Sequence, residues 1–298
     1  MTFSHLGELA ALGTAMCWTV TSMAFESAGK RIGSLAVNLI RLLMAMVFLA
    51  IFCWVTRGLP LPVDATARAW FWLALSGLVG FCIGDLCLFR AFVVIGSRLS
   101  MLMMALVPPF AAITGWIIMN EQLSLQDWTG MALTVGGVAW VVLERKRDEK
   151  GNHVGHPVRG ILLGLGGAFG QATGLVLSKF GMGDYDPFAA THIRVIAGAA
   201  GFAILFVFIG WWPRVFAAFQ NRAGIARTSL GATFGPFLGV SLSLVAVQNT
   251  EAGVAATIMA LVPVLIIAPS VLIFKERVTA RAVIGAIIAV SGTVLLFL

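Results

Sequence analysis

Asp85 is the residue whose chemistry most needs an explanation, because it sits inside an uninterrupted apolar stretch, GFCIGDLCLF. Burying a carboxylate away from water is costly unless it is protonated, paired or wet, and in membrane helices such groups are tied to proton relays, ion pathways or a partner base. Glycines at 77, 80 and 84 allow another helix to approach closely here. Two readings stand side by side: a proton-coupling acid, or a structural pair with Arg90 or Arg41. Arg41 and Arg194 lie about six residues inside their apolar stretches, close enough to the ends for snorkelling, so snorkelling or pairing between helices is expected ahead of ligand contact. Pro108 and Pro263 fall near the middle of apolar stretches. There each removes a backbone donor and frees a carbonyl, which must find a partner or face a wet cavity. The functional expectation is a pair of kinked helices opening a path. Glu121 and Glu276 close their stretches and read as caps or loop ion pairs, and Glu26 reads as an interfacial charge.

Other chemistries lack their residues. His5, His153 and His156 lie outside the apolar stretches and leave His192 alone, and no G-x-S-x-G or metal spacing accompanies it. Cys17, Cys53, Cys82 and Cys87 form no CxxC pattern and read as small apolar packers. No G-x-x-x-x-G-K-[ST] loop is present, and LGLGGAFG lacks the strand-then-helix context of a dinucleotide site. No cofactor or metal is expected. A membrane-embedded enzyme or an accessory subunit remain the rival classes to a transporter.

These residues must be positioned by membrane helices. The chain is 59% hydrophobic and 11% charged, against about 25% charge in an ordinary soluble domain. Its apolar blocks have the length of about twenty residues that crosses a bilayer as a helix. A single tyrosine and the absence of strict alternation do not fit a β-barrel. The expected spans are 7–28, 35–55, 70–92, 100–119, 128–143, 160–180, 188–210, 227–247, 253–274 and 281–298. The fold class is an all-α membrane protein of ten transmembrane helices. The polar stretch 144–159 divides it into units 1–143 and 160–298, and no segment is long enough for an ATP-hydrolysing domain, so energy must come from a gradient or a partner. The N-terminus has no basic residue ahead of the first span, which argues against a cleaved signal peptide.

The two units are copies of each other. MALVP at 104–108 recurs at 259–263, and the same offset of 155 carries Gly80, Gly84, Glu121 and Gly137 onto Gly235, Gly239, Glu276 and Gly292. Upstream an offset of 153 places Ile40-Arg41 on Ile193-Arg194 and Trp18 on Gln171. Five spans per copy is an odd number, so the second enters the membrane from the opposite side: two inverted five-helix repeats, with a site expected at the midplane between them. Lys and Arg concentrate in the odd-numbered connections, against Arg57, Arg68 and Lys179 on the even side. That bias puts the 144–159 linker in the cytoplasm and both termini outside, in a bacterial inner membrane. It also accounts for the net charge of +7 without nucleic acid as a partner. The Gly166, Gly170, Gly174 stripe reads as packing between neighbouring helices.

The sequence resembles the drug/metabolite transporter superfamily, in its ten-helix EamA-type form. The resemblance rests on a proline-bearing fourth span, a Glu and a Gly-rich fifth span, LVPPFAAITGWIIMNEQLSLQDWTGMALTVGGV and again LVPVLIIAPSVLIFKERVTARAVIGAIIAVSG. It implies export or exchange of amino acids and related metabolites, without nucleotide hydrolysis, through a central cavity lined by the first, third, fourth, sixth, eighth and ninth spans. Beside Asp85, Pro108 and Pro263, the substrate-binding candidates on those spans are Trp18, Thr21, Ser22, Gln171, Thr173, Ser241 and Thr257, with Ser243. The simplest structural role for each hydroxyl is a bond to its own helix backbone. This set, with no fixed basic cluster, suits a neutral or zwitterionic small molecule, with the lipid bilayer and protons as the other partners.

Overall fold

A computed structural model describes residues 5–119, 124–143, 146–147, 153–154, 157–249, 258–275 and 278–296. The first copy contains α1 (Leu6–Ile32), α2 (Ser34–Arg57), α3 (Ala67–Gly77), a π-helical segment Leu78–Gly84, α4 (Asp85–Met103), a 3-10 turn Met104–Leu106, α5 (Val107–Met119) and α6 (Leu125–Val142). The second contains α7 (Val158–Met182), α8 (Pro187–Phe208), the short α9 (Trp212–Ala218), α10 (Arg222–Ala232), a π-helical segment Thr233–Gly239, α11 (Val240–Asn249), α12 (Val262–Leu265), α13 (Ile267–Phe274) and α14 (Ala280–Leu296). In the linker, two-residue strands β1 (Lys146–Arg147) and β2 (His153–Val154) pair antiparallel.

Local chemistry sets the element ends. Thr66, Asp186 and Asn221 accept backbone N–H bonds from Ala69, Ala189 and Gly224 and so cap α3, α8 and α10. Gly58 at φ 72° closes α2. Gly96 at φ 82° breaks α4 and turns the third span into the fourth without a loop. Glu26 is corrected here. It is buried rather than interfacial, and its carboxylate accepts the Ser97 N–H at 2.7 Å just past that break while holding Lys30 Nζ at 2.5 Å.

The expected proline kinks take a different form. Pro108 is the second residue of α5 after the 3-10 turn, and Pro263 lies in the first turn of α12 after a turn at 260–261. Each helix stops ahead of its proline and restarts with it in the first turn, where a missing N–H costs nothing. Glu121 and Glu276 lie outside the described residues.

The copies match element by element. Both π segments, α3 with α10, and the 107 and 262 helix starts are displaced by the offset of 155 found in the sequence. Packing exchanges partners in the same way: α1 packs on α10, the second π segment and α11, while α7 packs on α3, the first π segment and α4. α2 packs on α8, and α6 on α14. Inversion is visible at the ends. The α2–α3 connection of the first copy meets the α7–α8 connection of the second through Tyr185 Oη donating to Asp64 Oδ1 at 2.8 Å. The end of α1 meets the start of α10 where Ile32 abuts Gly224. Among the described residues five helical stretches are long and apolar enough to cross a membrane, and three shorter apolar helices join them. Trp54, Ile117, Phe208 and Leu272 are exposed on the outer surface, as lipid-facing positions require.

Candidate functional site

The two copies meet at the π segments. A Cβ at Gly170 would lie 2.5 Å from Gly84 Cα, and one at Gly174 2.9 Å from Gly80 Cα, so glycine on both helices lets α7 cross the first π segment backbone to backbone. On the symmetric crossing Thr21 lies against Gly235 and Trp18 against Gly239. π turns depart from the regular ladder and recur at functional sites.

At the end of the first π segment stands Asp85, 3% exposed. Arg41 of α2, also 3% exposed, forms an ion pair with its carboxylate, and Gln171 Nε2 of α7 donates to Oδ1 at 2.5 Å. Asn38 completes the cluster by accepting from Arg41 Nε and donating to the Asp85 carbonyl, each at 3.2 Å. Arg41 also stacks 4.5 Å from the Phe89 ring centre. A buried ion pair is tolerated only with its remaining valences filled, and here four side chains from three helices fill them. Of the two partners open to Asp85 in the sequence, Arg41 is therefore the one chosen; Arg90 is exposed.

Arg194 of α8, the repeat mate of Arg41, is likewise 3% exposed, so neither snorkels; the pairing between helices expected as the alternative holds for Arg41. Its surroundings differ. The position related to Asp85 is Val240, so the acid that its own copy would supply is missing, and the carboxylate that acts on it is Asp85 of the first copy, already ion-paired with Arg41. Its guanidinium lies 4.9 Å from the Phe81 ring centre, Nε has no hydrogen-bond partner, and no ion pair includes it among the described residues.

These groups line a cavity of about 390 Å³, the size of a small-molecule pocket. Trp18, Thr21, Ser22, Asp85, Pro108, Gln171 and Pro263 from the sequence expectation are on its wall, with Ser243. Thr173 and Ser241 are not; their hydroxyl oxygens are buried elsewhere in the bundle without hydrogen-bond partners among the described residues. Thr257 lies outside the described residues. The hydroxyls on the wall are already engaged: Thr21 donates to the Gly231 carbonyl at 3.0 Å, Ser22 to Thr19 at 3.0 Å and Ser243 to Val240 at 2.7 Å.

Sequence reasoning missed the cations and the apolar lining. Among the described residues Arg41, Arg194 and Lys179 face one carboxylate, and the rest of the wall is largely apolar, with Phe25, Phe81, Phe92, Met104 and Met259 among small and aliphatic residues. Against the expectation of no fixed basic cluster, three cations thus stand on the wall. The signal was present in the repeated Ile-Arg at 40–41 and 193–194, because a cation kept at the same depth in both copies is harder to explain by snorkelling twice. From the buried charges the wall runs to Lys179 and Val247, within a turn of the α7 and α11 ends at the even-numbered connections.

The sequence profile of the EamA-like transporter family matches residues 5–143 and again 158–298. No curated protein matches the chain. A solved crystal structure of a protein shares 16% identity with it at a TM-score of 0.58, over 97% of this chain and 95% of that one, which speaks to the fold alone.

Proposed function

Since this chain belongs to the EamA-like transporter family, we propose that it is a secondary transporter exporting amino acids or related small metabolites by alternating access. Membership of the family carries the coarse statement, a multi-pass membrane transporter of small solutes. The finer one is carried by a single observation: one cavity with buried charges is built from symmetry-related elements of two inverted copies. A pseudo-two-fold axis in the membrane plane makes the open arrangement of one face available to the other, which is the geometry of alternating access. The π segments and the restarts at Pro108 and Pro263 are the points where the spans can change angle with little loss of hydrogen bonding.

Asp85 is assigned to holding Arg41 rather than to proton transfer, because both its oxygens are engaged. The charge bias of the short connections supports a cytoplasmic linker in a bacterial inner membrane. The test is flux of labelled amino acids and small organic acids in proteoliposomes, with and without an imposed pH gradient. Saturable flux of at least one solute is expected, and its absence across the panel would contradict the proposal.

A further inference from the structure

The cavity carries an imbalance that its own residues do not resolve. Arg41, Arg194 and Lys179 stand against Asp85, and Asp85 is fully taken up by Arg41 and Gln171. Arg194 is buried with an unpartnered Nε, its guanidinium against the π face of Phe81 and within electrostatic reach of Asp85 but not ion-paired with it. A ring face attracts a cation but does not neutralise it, and a buried guanidinium left without an anion is costly. The sequence removed the internal solution by placing Val240 where the other copy has Asp85.

We infer that Arg194 receives the carboxylate of the transported solute, and that the solute class is a small organic monoanion with an apolar body. The guanidinium fork matches a carboxylate in two parallel hydrogen bonds. Around it Phe81, Phe25, Phe92, Met101, Met104 and Met259 offer an apolar, polarizable surface for the remainder of the molecule. Among the described residues an ammonium group finds no counterpart: the one carboxylate on the wall is engaged, and the hydroxyls of Thr21, Ser22 and Ser243 are donating to backbone. Recognition therefore falls on the carboxylate, and an amino group adds nothing to it. This inference rests on reading the cavity as the solute site.

The test is calorimetric titration of the purified full-length protein at pH 7 with 3-phenylpropionate, its neutral amide, and L-phenylalanine. The acid binds at least tenfold more tightly than the amide, and the amino acid binds no more tightly than the acid. In Arg194→Gln the acid-to-amide ratio collapses to about one, and Arg194→Lys, which keeps the charge without the fork, falls between. Equal affinity of acid and amide in the unaltered protein, no binding of the acid, or an unchanged ratio in a folded Arg194→Gln protein overturns the inference. The comparison on the unaltered protein stands even if a variant does not fold. Flux separates the two readings: preferential binding of the acid with no saturable flux contradicts the transporter, whereas flux of amides as fast as acids contradicts only the role of Arg194.

Discussion

Arg41 and Arg194 begin as equivalent residues and end in different circumstances, and the difference is one side chain, Asp85 against Val240. Removing the charge from Asp85 should therefore strand Arg41. Asp85→Asn is expected to lower stability by about 3–5 kcal/mol, as for other broken buried pairs, read as a fall in the thermal unfolding midpoint of the purified protein. Asp85→Asn combined with Arg41→Gln should recover part of the loss. A single variant as stable as the parent would show that the carboxylate is not the partner of a buried cation. Asp85 itself was legible in the sequence, since a lone acid in an apolar run has few explanations. Its partner was not, because choosing Arg41 over Arg90 depends on which face of α4 meets α2, a packing fact. Arg194 was misread for a related reason: its depth in α8 fits snorkelling, and only the close crossings around Gly77 and Gly80 enclose it.

At the level of elements, the crossing of α7 over the first π segment depends on having no side chain at Gly170. Gly170→Leu places a branched side chain where even a Cβ would lie 2.5 Å from Gly84 Cα. Overpacking of this kind costs about 1–3 kcal/mol or more, so lower yield of folded protein and a depressed unfolding midpoint are expected. An unaffected midpoint would mean that the helices do not cross there. The connections offer a pH-dependent contact. The hydrogen bond from Tyr185, helped by Arg57, holds the Asp64 carboxyl below the usual carboxylate range, while partial burial and the bond to Asp64 push the Tyr185 phenol up to about 12. The Asp64 contribution is full above about pH 4 and lost as pH falls through its lowered value; the Tyr185 contribution is full below about pH 10 and lost as pH rises toward 12. Tyr185→Phe should thus lower stability by no more than about 1 kcal/mol for an exposed pair, read as a small fall in the unfolding midpoint across the neutral range, with the difference vanishing at both extremes. A difference constant with pH would place the effect elsewhere. Helix ends were legible within a few residues, because apolar length and caps such as Thr66 and Asp186 set them. The π segments were not: seven residues are too few to shift a periodicity, and Gly80, Gly84, Gly235 and Gly239 were their only trace.

For the molecule as a whole, the duplication was the most legible feature, since MALVP and the matched glycines fix the register of one copy on the other, and the odd number of spans then dictates inversion. What the sequence withheld was the character of the cavity, because polar residues such as Thr21 and Ser243 spend their donors on local carbonyls while the apolar walls and buried arginines emerge only on assembly. The charge bias predicts that a reporter fused after Leu298 lies on the periplasmic side; a cytoplasmic signal would mean that the bias is overruled. The central claim is that the cavity between the copies opens alternately to the two faces. Ala112, on its wall, can be replaced by cysteine after Cys17, Cys53, Cys82 and Cys87 are changed to alanine, and a membrane-impermeant thiol reagent then applied separately to each side of oriented vesicles. Alternating access predicts labelling from both faces, with saturating solute on one side changing the ratio of the two rates, whereas labelling from one face only, unaltered by any solute that the protein binds, would contradict it.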